Sequence, residues 1–239
     1  MPKTIVQVSD THLCKVFPYF ADNWQHFAAE MEALKPDHLI HTGDISLSGT
    51  MDDQAMRHIR NEIDRLPVPC FAIPGNHDIG TTGSPLKPIS EETVAHWQTH
   101  FGEDRFVFDI ERWRLIGLNT EILGSGLPSE ELQWAHLEVA CANAGDRQIG
   151  VFLHRPLFVK TPDEPSSRYS LIAEPRTRLI EQLRVHKVRF VASGHLHRYR
   201  HISFNGIDLV WCPTTAFVFA SNKNDGCIRR LSKMDLRGA

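Results

Sequence analysis

The chain has 239 residues, of which 41% are hydrophobic, 23% charged and 9% aromatic, and a formal net charge of −3. That composition suits a globular chain with a full core, since a domain of this size buries ~70% of its unfolded surface; it excludes disordered, collagen-like and disulfide-scaffold classes. The near-neutral balance offers no basic field for nucleic acid, and the longest stretch free of Asp, Glu, Lys and Arg, Leu209 to Asn222, has 14 residues, short of the ~20 apolar residues a membrane helix needs.

Along the chain, short apolar runs alternate with helical periodicity. The run 4–10 reads as a strand, Asp22 to Leu34 as a helix stopped by Pro36, and 37–44 as a second strand. Asp52 to Leu66 reads as a helix, with Ala55, Met56, Ile59, Ile63 and Leu66 recurring at intervals of three and four. The segment 67–78 is a short strand entering a turn, 80–90 a Gly/Pro-rich loop, and Glu91 to His100 a helix. Segments 105–110 and 113–119 pattern as a hairpin. Ser129 to Asn143 reads as a helix capped by Ser129, with an apolar face from Leu132 to Leu137. A strand at 148–156 leads into the irregular stretch 156–175, then a helix from Arg176 to His186 and a strand at 188–197. Tyr199 to Leu231 reads as four strands, with Phe217 and Phe219 alternating on a buried face. This alternation predicts an α/β fold of mixed sheets in a single domain spanning 1–239.

The opening MPKTIVQVSD lacks the basic start and apolar run of ~7–15 residues that mark a secretory leader, so the expected location is the cytoplasm. Five scattered cysteines (Cys14, Cys70, Cys141, Cys212 and Cys227) without a CxxC predict neither a disulfide framework nor a thiolate zinc site.

The chemistry is concentrated where apolar strands run out. Five of them lead into Asp10-Thr11-His12, Gly43-Asp44, Gly75-Asn76-His77-Asp78, His154-Arg155-Pro156 and Gly194-His195-Leu196-His197. Ligands of α/β sheets bind at the carboxyl ends of strands, so aligned strands would bring Asp10, His12, Asp44, Asn76, His77, His154, His195 and His197 together. Buried carboxylates repel unless cations intervene. An oxygen and imidazole donor set without thiolate suits Mn, Fe or Zn. Seven ligands exceed one tetrahedral zinc and match a two-metal site able to clamp the entering and leaving oxygens of phosphoryl transfer. The glycines ahead of Asp44, Asn76 and His195 read as tight-turn positions.

These motifs (SDTHL at 9–13, HTGDISLSG at 41–49, PGNHD at 74–78 and SGHLHR at 193–198) resemble the calcineurin-like metallophosphoesterases, and most closely the bacterial class III cyclic-nucleotide phosphodiesterases. The resemblance runs from residue 5 to about residue 215. It implies a four-layer α/β/β/α sandwich of two mixed sheets, with Asp10, His12 and His197 on one metal, Asn76, His154 and His195 on the other, and Asp44 bridging. His77 is implied to face the phosphate, and a hydroxide between the metals to attack phosphorus. Two departures bear on substrate choice: Arg155-Pro156-Leu157 where relatives often read His-Pro-Pro, and Asn119 where they often carry Asp. Arg155 is read as a phosphate contact or an outward surface residue.

The expected activity is therefore hydrolysis of small phosphodiesters, cyclic nucleotides such as cAMP foremost. The competing readings are a phosphomonoesterase, a glycerophosphodiesterase or a nucleotide pyrophosphatase of the same fold, and a non-catalytic metal-binding scaffold. No membrane or nucleic-acid partner is expected; the 156–175 loop is open to substrate selection or to contact between copies in a homo-oligomer. His41 reads as a packed residue behind the site. His26, His38, His58, His96, His100, His136, His186 and His201 read as solvated surface histidines. The P-loop, HExxH and GxSxG motifs are missing from the sequence.

Overall fold

The computed structural model describes residues 3–217 and the backbone of 232–235. Its strands form two sheets. In the first, β1 (Thr4–Val8), β2 (His38–His41) and β3 (Cys70–Ala72) run parallel, and β10 (Ser232–Asp235) pairs antiparallel with β1. In the second, β5 (Trp113–Gly117), β6 (Gln148–Leu153), β7 (Phe190–Ser193) and β9 (Ile207–Trp211) run parallel in that order, with β4 (Phe106–Ile110) and β8 (Arg200–Phe204) as antiparallel edges. Three apolar layers hold the sheets and helices together. Ile5 and Ile40 of the first sheet meet Leu115, Phe152, Phe190 and Ala192 of the second in the middle. The other face of the first sheet carries α1 (Ala21–Leu34), α2 (Asp53–Asp64) and, after the single turn α3 (Asn76–Ile79), α4 (Glu91–Phe101) through Phe27, Met31, Met56, Ile59 and Trp97. The other face of the second sheet carries α5 (Pro128–Ala142) and α6 (Ala173–Val185) through Leu137, Leu179 and Leu183. This is the expected four-layer α/β/β/α sandwich.

Register matters most for function. Val8 pairs with His41 and His41 with Ala72, so β1, β2 and β3 end level. Leu153 pairs with Ser193 and Ser193 with Trp211, so β6, β7 and β9 do likewise. Each chain leaves its sheet at the same edge, where α/β proteins place their ligands. No helix among the described residues is long and apolar enough to cross a membrane.

Several expected boundaries move. The strands predicted over 37–44 and 188–197 stop at His41 and Ser193, which leaves Asp44, His195 and His197 in turns. Helix α5 starts with Pro128 at its first position and Leu127 as N-cap; Ser129 instead donates its amide and hydroxyl to the Glu91 carboxylate. Leu132 is 67% exposed rather than part of the apolar face, which Trp134, Leu137 and Cys141 supply. Helix α6 begins three residues early, at Ala173. Ala216 and Phe217 are not in a strand; residues 218–221 and 227–231 of the two last predicted strands lie outside the described residues.

Candidate dinuclear metal centre

The eight predicted residues meet at the common strand edge, on turns that interlock. Asp10 N–H donates to Gly43 C=O and His12 N–H to Asp44 C=O, each at 3.0 Å, which ties the β1 exit to the β2 exit. Asp10 Oδ2 accepts from the His195 amide at 2.9 Å, and Asp44 Oδ1 from the His77 amide at 2.8 Å. Five of the eight adopt left-handed backbone: Asp10 (φ 54°), His12 (46°), Asp44 (52°), His195 (67°) and His197 (54°). That region is sparse for residues other than glycine, and such strain collects where a site over-determines the backbone. The turn conformation, not strand alternation, aims these side chains inward.

Of the three glycines, Gly43 alone needs its torsion, at φ 93°. Gly75 and Gly194 need space. A Cβ on Gly75 would lie 2.3 Å from Asp44 Oδ1, and one on Gly194 1.8 Å from Ser9 Oγ and 2.6 Å from Asp10 Oδ2.

Two clusters result. Asp10, His12 and His197 offer ligand atoms within 4.8 Å of one another, and so do Asp44, His154 and His195. In the first, His197 Nε2 is 3.2 Å from both Asp10 Oδ1 and His12 Nε2. In the second, His154 Nε2 is 3.4 Å from Asp44 Oδ2, 3.3 Å from Asn76 Oδ1 and 3.2 Å from His195 Nδ1. Asp44 stands between them, Oδ2 also lying 4.0 Å from His12 Nε2.

The histidine tautomers are set by the backbone. A carbonyl oxygen only accepts, so the ring nitrogen facing one must carry the proton, and in the neutral ring its partner turns a lone pair inward. His154 Nδ1 faces Thr42 C=O at 2.8 Å, His197 Nδ1 faces Phe217 C=O at 2.8 Å, and His195 Nε2 faces Arg168 C=O at 2.8 Å. His77 Nδ1 faces Leu47 C=O at 2.7 Å, leaving Nε2 toward the site, with its ring edge-on to His12 at 4.8 Å.

The electrostatics call for cations. Burial opposes ionisation of Asp10 and Asp44, yet His197 beside Asp10 and His154 beside Asp44 hold both carboxyls below the usual range. His154 resists burial and is pulled up to about 10 by Asp44: unassisted, the pocket draws a proton to offset its carboxylates. Burial pushes His12 and His195 down to about 4 and so keeps them in the neutral, ligating form. Asp10 Oδ1 and His12 Nδ1 are buried without a well-formed hydrogen bond. Neutral imidazoles, ionised carboxylates and an under-used carboxylate oxygen fit borderline transition metals.

Residues outside the predicted set hold it in place. Asp78, fully buried, accepts from the amides of Gly75, Ile45 and Ser46 and so pins the Asn76 turn to the Asp44 turn. Burial and the nearby Asp44 raise its carboxyl to about 6. His41 bonds Thr11 Oγ1 through Nε2 and accepts from the Gly43 amide at Nδ1, the packed role expected of it. Arg155 does not point outward. It is buried, its Nε is 3.0 Å from both oxygens of Glu121, and its guanidinium donates to Arg168 C=O. Asn119 sits behind it: its Oδ1 accepts from the Glu121 amide and its Nδ2 donates to Asp104. Phe217 does not lie on a buried strand face; its ring meets His197 at 4.4 Å and stacks near Phe20 at 5.5 Å. Cys14 is half-buried beside this corner, its Sγ accepting from the Phe17 amide. Burial raises the Cys70 and Cys141 thiols to about 12 and about 11, which keeps both protonated.

A two-sheet sandwich that gathers carboxylates, an amide and imidazoles at one aligned edge defines the metal-dependent phosphoester hydrolases. The chain belongs to the calcineurin-like phosphoesterase family, whose pattern matches residues 3–199. It is 31% identical over 150 residues to the serine/threonine-protein phosphatase CPPED1 of Danio rerio, covering 60% of this chain and 46% of that protein, so it spans about half of that relative. It is 26% identical to the 3′,5′-cyclic adenosine monophosphate phosphodiesterase CpdA of Escherichia coli K12, covering 90% of this chain and 77% of that one. It is 31% identical to a probable glycerophosphodiester phosphodiesterase GpdQ of Arcobacter nitrofigilis, covering 85% and 75%. Among solved structures, a dimetal phosphatase from Danio rerio superposes with a TM-score of 0.67 at 13% identity, covering 90% and 89% of the two chains. This likeness shows the shared fold.

Proposed function

We propose that the chain hydrolyses phosphodiesters, cyclic nucleotides such as cAMP foremost, with two transition-metal ions of the Mn, Fe or Zn type. Asp10, His12 and His197 would hold one ion, Asn76, His154 and His195 the other, with Asp44 reaching both. Bound there, the ions would supply positive charge for the phosphoryl oxygens and a water acidified toward neutrality. The observation that carries this reading is the convergence of both clusters on Asp44.

The protein's own groups do the rest. The carbonyls of Thr42, Phe217 and Arg168 lock three imidazoles in the tautomers that present a lone pair. His77, its Nδ1–H held by Leu47 C=O, keeps Nε2 free to contact the phosphate; as the doubly protonated imidazolium it would hand its Nε2 proton to the leaving oxygen and return to the neutral Nδ1–H form. Nucleotide preference is supported by aromatic surface beside the His12/His197 cluster. Phe217 and Phe20 stack at its border, and Phe17 and Tyr19 stack on each other with Tyr19 72% exposed. Flat apolar rings of this kind suit a base.

The test is Mn²⁺-reconstituted protein assayed side by side on cAMP, bis-p-nitrophenyl phosphate, a glycerophosphodiester, p-nitrophenyl phosphate and a phosphoserine peptide. Higher kcat/KM on the diesters, cAMP leading, supports the proposal. Dominant turnover of the monoester or the phosphopeptide assigns a phosphatase instead, and an inactive, fully metal-loaded protein assigns a scaffold.

A further inference from the structure

A second set of histidines stands apart from this centre. His96 and His100 were expected as solvated surface residues, yet their side chains are only 12% and 8% exposed. They lie one turn apart on α4, on one helix face. Both aim Nε2 at the same oxygen of Asp53, the first residue of α2: His96 at 3.1 Å and His100 at 2.9 Å from Asp53 Oδ1. Their rings meet nearly edge to face at 5.1 Å. The other oxygen, Oδ2, faces Arg57 at 3.4 Å, so Oδ1 alone is committed to the pair.

We propose that Asp53, His96 and His100 form a third metal site, for a borderline divalent ion such as Zn²⁺, bridging α2 and α4. Two imidazoles and one carboxylate are a three-ligand set that leaves a fourth position to water, and the donor types favour Zn²⁺, Co²⁺, Ni²⁺ or Cu²⁺ over Mg²⁺ and Ca²⁺. The geometry is close to ready. Tetrahedral bonds of ~2.0–2.1 Å put donor atoms ~3.3 Å apart, and the two Nε2–Oδ1 separations need to open by only a few tenths of an ångström. One feature limits affinity: His96 Nδ1 is buried without a hydrogen-bond partner. The outer contact that usually orients a ligating imidazole is missing there, which corresponds to roughly 10–100-fold weaker binding.

The position gives such an ion a structural consequence. α2 begins at the end of the loop that supports His77. Ser46 Oγ, Thr50 Oγ1 and the Gly49 amide all donate to His77 C=O, and Asp52 caps α2 while its amide donates to Gly49 C=O. A cation joining Asp53 to α4 fastens this loop from its far end.

The experiment is equilibrium dialysis of the full chain against Zn²⁺, with metal counted per chain by mass spectrometry, for the wild type, the His96→Ala/His100→Ala double variant and Asp53→Ala. The wild type is expected to hold one zinc more than the double variant, and Asp53→Ala to bind that extra ion at least 10-fold more weakly. Because the readout is a difference of one ion, it is independent of how many the catalytic cluster holds. Asp53 is exposed, so Asp53→Ala keeps the test open if the double variant fails to fold. Equal zinc counts in all three proteins, or unchanged affinity in Asp53→Ala, would overturn the proposal.

Discussion

His77 and Gly75 sit two residues apart in one turn, and the proposed function rests on opposite properties of the two, a reactive ring and the lack of a side chain. In the proposed reaction, His77→Ala removes a group that would touch the substrate while leaving the Asp10/His12/His197 and Asp44/His154/His195 ligand atoms in place. Turnover should drop by ~10²–10⁴-fold with metal content unchanged; loss of metal would show that His77 is a structural support. Gly75→Ala drives a methyl against Asp44 Oδ1. It should lower metal content as well as activity, and cost about 1–3 kcal/mol of stability in denaturant titrations. The identity of the eight residues is legible from the sequence because chemistry-bearing types follow apolar runs. Their backbone is not: nothing in D-x-H or H-x-H announces left-handed torsions at Asp10, His12 and His197, because those are imposed by hydrogen bonds from other loops. Asp78 escapes for a similar reason, its three amide partners being brought together only by the fold.

Among the elements, the irregular stretch that follows β6 shows how a long loop is held. The Glu164 carboxylate gathers the amides of Val159, Lys160 and Thr161 and the hydroxyl of Ser170. Arg155 fastens the far end through Glu121 and Arg168 C=O, the residue whose own carbonyl is 2.8 Å from His195 Nε2. Glu121 is fully buried; burial pushes its carboxyl up, and the Arg155 guanidinium, joined by His154, His195 and a hydrogen bond from Thr81, more than reverses this. Arg155→Met should therefore leave a buried carboxylate unpaired, at a cost of about 3–5 kcal/mol in a denaturant titration. Restoration by the double change Arg155→Met/Glu121→Gln would confirm that the pair is structural. A large fall in kcat with stability unchanged would instead revive its reading as a phosphate contact. Element types were readable because periods of two and 3.6 residues separate cleanly in this chain. Ends were not, since the sequence around Ser129 carries a cap signal that Pro128 and Glu91 override, and strand runs continue past Ser193 in residue type after pairing has stopped.

For the molecule as a whole, the two sheets confine polar groups to one edge, and stability becomes tied to their protonation. His41 is fully buried and burial lowers it to about 3 from an ordinary 6.5. Its folded form is the neutral one, so the unfolded chain takes up the proton first. The His41 contribution is complete above pH 6.5 and is lost as pH falls toward 3, by up to ~1.4 kcal/mol per pH unit. At saturating Mn²⁺, His41→Gln should flatten the decline of stability between pH 6 and 4; an identical slope would show that His41 is not the titrating group. The sandwich was readable from strand and helix alternation together with the motif resemblance. The common strand edge was readable only as an expectation, because register is decided by pairing across sheets that no local pattern encodes.

The proposed chemistry requires two cations to meet at Asp44. Anomalous diffraction from crystals of the Mn²⁺-loaded chain measures that directly. Two peaks ~3.5–4 Å apart are expected, one beside Asp10, His12 and His197 and one beside Asn76, His154 and His195, with Asp44 in contact with both. A single peak, or a pair that Asp44 does not touch, would contradict it.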